Sequence, residues 1–112
     1  MNPKKQLIVH FIHVNLHRKL SLDEMAGSID LSSSHLCRLL KTETGMSPGQ
    51  YLQMLRMQKA ASLLATTLMS IKQIMGEVGY RNKGLFARHF KKAHGYTPSE
   101  YREKHLNLNL IK

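Results

Sequence analysis

The sequence predicts an all-α protein of seven helices, in which a long central helix joins two helix-turn-helix subdomains. Apolar residues recur three or four positions apart along the 112-residue chain, which is the period of a helix with one buried face. Capping motifs precede several of these segments. The segment 45–51 also returns fifty residues later as 95–101, with its Gly, Pro and Tyr in the same places. We therefore interpret the chain as a duplication within one domain, residues 1–112.

The first half of the duplication spans residues 4–45. It is predicted to hold three helices, at about residues 4–17, 22–29 and 33–43. The first helix has a buried stripe with a spacing of four, formed by Ile8, Ile12 and Leu16. Ser21 begins a capping box that opens the second helix, and Asp30 ends it because Asp tolerates a left-handed backbone. The third helix starts at a serine cap and stops at Gly45.

Residues 47–66 are predicted to form the central helix. Ser47 caps it, Pro48 occupies its first turn, where a proline removes no hydrogen bond, and Gln50 completes a capping box. At ~1.5 Å per residue this helix is about 25–30 Å long, so we expect it to act as a rigid spacer.

The second half, residues 70–104, repeats the plan of the first. Ser70 opens a short helix with a capping box, and Gly79 takes the turn position that an aspartate holds in the first half. The next helix is predicted at about 83–93. Thr97 then begins the capping box of a short final helix.

Each half contains one helix with cations on the face opposite its apolar residues. The outward positions in the first half are Ser34, Cys37, Arg38 and Lys41. The outward positions in the second half are Gly84, Ala87, Arg88 and Lys91. A cationic face that is presented twice suits a polyanion with a repeating structure.

Charge and composition narrow the class of protein. Seventeen Lys and Arg against seven Asp and Glu point to nucleic acid or an anionic surface, although a basic solvated surface without a partner is the alternative. Cys37 is the one cysteine, so no intramolecular disulfide can form and a reducing compartment fits best. The chain has no signal-peptide pattern and no apolar run near the ~20 residues of a membrane span. We expect a soluble intracellular protein with no membrane partner.

The histidines raise the question of a metal site or an enzyme. His10, His13 and His17 have a spacing that could bring imidazoles together around zinc, but no Cys, Asp or Glu on that segment completes a ligand set. Cys37 could be a redox sensor, but a lone thiol is usually a small packing side chain. Three other histidines are expected to be surface or partly packed: His35, His89 and His94. We find no paired acid or nucleophile, and predict no enzyme, no cofactor and no metal.

Motifs along the whole chain point to one family. In the first half they are Ser21-Leu22-Asp23-Glu24-Met25-Ala26, Leu36-Cys37-Arg38-Leu39-Leu40-Lys41, Gly45, Ser47-Pro48 and Tyr51. In the second half they are Ile74, Val78-Gly79-Tyr80, Phe86, Arg88, Phe90-Lys91, Gly95 and Tyr96-Thr97-Pro98-Ser99-Glu100-Tyr101-Arg102. With this combination the sequence resembles the DNA-binding domain of the AraC/XylS family of bacterial transcription regulators. The resemblance implies two recognition helices in successive major-groove segments of B-DNA, ~34 Å apart.

The resemblance also implies which residues contact DNA. Carried over by position, the base-contacting residues are Ser34, Cys37, Arg38, Lys83, Gly84, Ala87 and Arg88. Arg38 and Arg88 are the candidates for bidentate bonds to guanine, whereas Lys41 and Lys91 lie further along and are expected to contact phosphates. In the alternative interpretation, the two arginines pair with acids such as Glu43 or Glu77.

The resemblance predicts a transcription regulator, with activation and a contact to RNA polymerase as its implied activities. Double-stranded DNA is the expected partner, in the bacterial cytoplasm and at the nucleoid. Family members often carry a sensor or dimerisation domain that is absent here, so no small effector is expected to bind. Whether the chain is a complete short regulator or a C-terminal domain stays open.

A basic architectural or RNA-binding module without sequence specificity is the alternative function. Two capped helix-turn-helix units and the lack of an aromatic stacking platform oppose it. Within the favoured function, Gly84 and Ala87 leave the second recognition face nearly without polar groups. Our hypothesis is that the first subdomain supplies more base specificity and the second more backbone affinity.

Overall fold

A computed structural model describes residues 3–107, which form seven α-helices and no strand. In chain order the helices are α1 (Pro3–Val14), α2 (Leu22–Gly27), α3 (Ser33–Thr44), α4 (Pro48–Thr66), α5 (Ile71–Glu77), α6 (Lys83–His94) and α7 (Pro98–His105). The predicted all-α class and the number of helices are confirmed. The chain forms two compact units, and the boundary between them falls inside α4, after Leu55.

The core of the first unit joins α1, α2, α3 and the first part of α4. The predicted stripe of α1 is confirmed, because Ile8, Ile12 and Leu16 are fully buried. Leu36 and Leu40 of α3 are buried in the same cluster. These contacts fix which side of α3 remains in solvent.

The first helix is shorter than the predicted 4–17. After Val14, the Asn15 side chain donates to the Phe11 carbonyl at 2.8 Å, and the Asn15 amide donates to the Ile12 carbonyl at 3.1 Å. A side chain that bonds the backbone in this way competes with helix continuation. The chain therefore turns here, and Leu16 is buried from a turn.

The short helices α2 and α5 end in the same tight turn. Asp30 has a φ of 57° and Gly79 a φ of 76°, so both predicted left-handed positions are confirmed. The residue after each donates its amide to a carbonyl five positions earlier, at 3.0 and 2.9 Å. Because this turn uses the last carbonyls of the helix, α2 ends at Gly27 and the predicted end at residue 29 is wrong.

Capping boxes open α4, α5 and α7 as predicted. The hydrogen-bonded pairs are Ser47 with Gln50, Ser70 with Gln73, and Thr97 with Glu100. The box predicted at α2 is only half formed. The Ser21 hydroxyl accepts from the Glu24 amide at 3.1 Å, but the Glu24 carboxylate takes Arg18 as its main partner, at 2.5 Å. This bond lowers the pKa of Glu24.

The core of the second unit joins α5, α6, α7 and the remainder of α4. Phe86 and Phe90 of α6 are fully buried. Arg102 of α7 caps the C-terminal end of α4. Its Nε donates to the Leu64 carbonyl at 3.2 Å, and its Nη2 donates to the Thr67 carbonyl at 3.1 Å. Carbonyls at the end of a helix have no partner within the helix, so this arginine supplies one. Within residues 3–107, no helix is both long and apolar enough to cross a bilayer.

A pair of glycine substitutions separates backbone conformation from packing. A Cβ added at Gly76 or at Gly45 would meet no atom within 4 Å, but only Gly45 has a left-handed φ, of 76°. We expect Gly76→Ala to raise the free energy of unfolding by ~0.5 kcal/mol, because alanine has less freedom in the unfolded chain. We expect Gly45→Ala to lower it by ~1 kcal/mol. Urea unfolding followed by circular dichroism measures the free energy of unfolding of both variants. Changes of the same sign would contradict the left-handed conformation of Gly45 as the cause of the difference.

Candidate nucleic-acid interface

The outward face of α3 follows from its buried face. Leu36 and Leu40 have no exposed surface, so the residues between them on the opposite side point to solvent. Ser34, Arg38 and Lys41 are exposed, and Cys37 is partly exposed beside them. The four residues that the sequence singled out on this helix therefore share one accessible face.

The outward face of α6 is built in the same way on buried Phe86 and Phe90. Its exposed residues are Lys83, Gly84, Arg88 and Lys91, and Ala87 is partly exposed. Only cations and small residues are present on this face. Asn82 caps the helix by accepting from the Leu85 amide at 2.8 Å.

Arg38 and Arg88 keep their guanidinium groups available. Neither forms an ion pair or a hydrogen bond within residues 3–107, and the alternative pairing with Glu43 or Glu77 does not occur there. Each exposed guanidinium thus offers its fork of N–H donors to a partner.

Lys41 and Lys91 lie one turn further along their helices. The Lys41 ammonium donates to the Gly45 carbonyl at 3.1 Å, where a cation also stabilises the helix C-terminus. Lys91 lies near Glu100, whose pKa is lowered mainly by the Thr97 amide and least by the lysine charge. Both lysines remain exposed and retain donors for another anion.

The positive charge is concentrated in the second unit. Residues 1–55 carry six Lys and Arg against four Asp and Glu, a net charge of +2. Residues 56–112 carry eleven against three, a net charge of +8. An anionic partner is therefore attracted more strongly to the unit that contains α6.

A partly buried polar pair supports α6. The Tyr80 hydroxyl and His89 Nδ1 are 2.6 Å apart, and the Tyr80 ring meets Phe86 edge-on with centroids 5.3 Å apart. Burial raises the pKa of Tyr80. The matching positions in the first half hold Leu31 and Leu39. The sequence predicts His89 only as surface or partly packed, because the exchange of two leucines for Tyr and His does not by itself indicate a hydrogen bond.

His94 links the C-terminal end of α6 to α4. Its Nε2 donates to the Met57 carbonyl of α4 at 3.1 Å, and its ring packs on Phe90 with centroids 4.6 Å apart. A carbonyl only accepts, so the bond assigns the proton to Nε2. No local pattern in the sequence indicated this bond or the cap supplied by Arg102.

The metal and redox alternatives depend on where the histidines and Cys37 lie. Within residues 3–107, no group of three or more His, Cys, Asp or Glu side chains could hold a metal ion. Cys37 is a free thiol on the outward face of α3.

Comparison with known proteins adds independent information. A family model described as a helix-turn-helix domain matches residues 25–104. The lactose operon transcription activator of Staphylococcus xylosus is 36% identical over 109 residues, which cover 97% of this chain. The chain spans 39% of that relative's length.

Solved structures show the same fold. An AraC-type transcriptional regulator from Chromobacterium violaceum is 30% identical with a TM-score of 0.87, over 95% of each chain. The DNA-binding domain of AdpA, solved in complex with a target DNA, is 26% identical with a TM-score of 0.82, over 93% of each chain. These findings confirm the family resemblance and give the architectural or RNA-binding alternative no support.

Removal of the Tyr80 hydroxyl tests the polar pair. Tyr80→Phe is expected to lower the free energy of unfolding by ~1 kcal/mol, because His89 loses its partner inside the unit. Tyr96→Phe is the matched control, since the Tyr96 hydroxyl makes no hydrogen bond within residues 3–107. Urea unfolding curves compare the two variants. Equal losses of stability would show that the hydroxyl–imidazole bond has no special role.

Proposed function

Because the chain belongs to the AraC/XylS family of helix-turn-helix DNA-binding domains of transcription regulators, we propose that α3 and α6 read two neighbouring major-groove segments of one duplex. The observation that carries the proposal is the repeat of an exposed, unpaired arginine at the same position of both helices, Arg38 and Arg88. In a helix-turn-helix, the second helix enters the major groove, and adjacent segments lie about 10 base pairs apart.

The α3 face offers the more varied chemistry for reading bases. Arg38 is assigned a bidentate bond to the N7 and O6 of a guanine, a contact worth ~1–3 kcal/mol of discrimination. Ser34 can bond a base or a phosphate, and Cys37 can pack against a thymine methyl group. Three different side chains on one face give this helix three ways to distinguish bases.

The α6 face is assigned mainly to binding strength. Arg88 is its candidate for a guanine, Lys83 is a long cation at the helix start, and Ala87 can touch only a methyl group. Gly84 has no side chain, so a base or a sugar can approach the backbone closely. The net charge of +8 on this unit adds attraction that does not depend on sequence.

Lys41 and Lys91 are assigned to phosphates on either side of the reading faces. For Lys41, a phosphate oxygen would replace the Gly45 carbonyl, which is an exchange of one acceptor for another. Phosphate contacts orient the helices without specifying a sequence.

Activation of transcription, with a contact to RNA polymerase, is the proposed outcome of binding. The name of the Staphylococcus xylosus relative describes a transcription activator, which supports this sign of regulation. The match covers 39% of that relative, so the remainder of the relative has no counterpart in residues 1–112. In-vitro transcription tests whether binding activates, from a template that carries a DNA site enriched from a randomised pool by the chain. Repression would contradict the proposal.

Selection from randomised duplex DNA at near-physiological salt tests the paired reading. The wild-type chain is expected to enrich two short blocks about 10 base pairs apart. Arg38→Ala should abolish the preference in one block, whereas Arg88→Ala should weaken binding with a smaller change of preferred sequence. Equal changes of the preferred DNA sequence in the two variants would contradict the division of roles between α3 and α6. Binding without any enriched sequence would contradict sequence-specific DNA binding.

The salt dependence of affinity tests the phosphate contacts. Lys91→Gln is expected to weaken binding about equally on all sequences and to reduce the slope of log K against log salt by about 1. Lys5→Gln on α1 is the matched control, because Lys5 belongs to neither reading face. This variant should have the same slope as the wild type. A wild-type slope for Lys91→Gln would remove this residue from the phosphate contacts.

A further inference from the structure

His35 lies on the edge of the α3 face and has no part in the function proposed above. It is exposed and is the third residue of α3. At about 100° per residue, it stands about 60° around the helix from Arg38 and about 100° from Ser34. The imidazole therefore flanks the base-reading residues, where a side chain of a helix bound in the major groove can reach a phosphate.

The imidazole is held by Ser32, the N-cap of α3. Ser32 Oγ accepts from the His35 amide at 3.2 Å and lies 3.0 Å from His35 Nδ1. A serine hydroxyl has one proton to donate and two lone pairs to accept. It can accept from the amide and donate to Nδ1 of the neutral ring, which leaves the ring proton on Nε2.

We propose that the His35 Nε2–H group donates a hydrogen bond to a DNA phosphate oxygen beside the first recognition helix. The inference rests on the proposed function and adds to it a contact with the sugar-phosphate backbone of the DNA. A phosphate oxygen only accepts, so its partner is the tautomer with the proton on Nε2, in which the Ser32 hydroxyl donates to Nδ1. The contact lies at the N-terminal end of α3, where the helix dipole also favours an anion. The carboxylate at that end, Asp23, is engaged by the Ser33 hydroxyl.

The second unit provides an internal comparison. Leu85 takes the position of His35 and Asn82 that of Ser32, and the Asn82 side chain accepts from the Leu85 amide at 2.8 Å. The cap is thus kept, but leucine has no donor for a phosphate. The first unit, with a net charge of only +2, has an imidazole at a position where the second unit has an apolar side chain.

A methylphosphonate scan tests the contact. Each duplex carries the selected site with one phosphate replaced by a neutral methylphosphonate. Wild-type protein is expected to lose affinity at each contacted phosphate beside the block read by α3, including about tenfold at one that Lys41→Gln does not change, as is usual for a hydrogen bond to a charged group. His35→Ala should lose about as much on the unmodified duplex and become insensitive to the replacement at that phosphate. His13→Ala, which alters an exposed histidine on α1, is the matched control and should reproduce the wild-type profile.

The outcomes separate the inference from the function on which it rests. If the wild-type chain enriches no sequence, the proposed function fails and the inference fails with it. If it enriches a sequence and His35→Ala retains wild-type affinity, the inference alone is overturned. An affinity loss in His35→Ala with an unchanged scan profile would assign His35 a purely structural role, and this also overturns the inference.

Discussion

The burial of two apolar residues on each recognition helix is the constraint on which the rest of the surface depends. Leu36 and Leu40 fix the rotation of α3, and Phe86 and Phe90 fix that of α6, because none of the four has exposed surface. Each such side chain contributes ~1.5–3 kcal/mol when fully buried, whereas an exposed ion pair contributes ~1 kcal/mol or less. The cationic faces are therefore outward as a consequence of the core. Arg38 and Arg88 can stay unpaired without a large loss of stability.

The two units share one arrangement of helices but differ in their core side chains and in their charge. The first is packed mainly with aliphatic side chains, whereas the second adds aromatic contacts such as Phe90 with Tyr101, whose centroids are 5.3 Å apart. Tyr80 and His89 bring polar atoms into the second unit, and their mutual hydrogen bond offsets the cost of removing them from water. The charge differs as well, since the second unit has a net +8 and the first +2. These differences support the proposed division of base reading and binding strength between the two halves.

Local capping explains how such short helices persist. Helices of six or seven residues, as α2 and α5 are, would be marginal alone because nucleation is costly. Serine caps satisfy the first amides, and the left-handed Asp30 and Gly79 close the ends. Packing on a recognition helix then supplies the remaining stability. The C-terminal end of the longer α4 depends on more distant help, since Arg102 of α7 donates to the Leu64 and Thr67 carbonyls there.

The sequence by itself determined the helices and the outward faces, because each is encoded by residues close together in the chain. It also determined the duplication, because matching segments recur fifty residues apart. Apolar periods of three or four, caps and boxes of four residues, and a glycine stop such as Gly45 all act locally. Only the tertiary structure decided the partners of His89, His94 and Arg102, which bond to groups 9, 37 and 35 to 38 residues away. It also decided that the Glu24 carboxylate bonds Arg18 and leaves its capping box incomplete. No period or motif encodes such bonds, since a donor bonds the acceptor that the folded chain brings within about 3 Å.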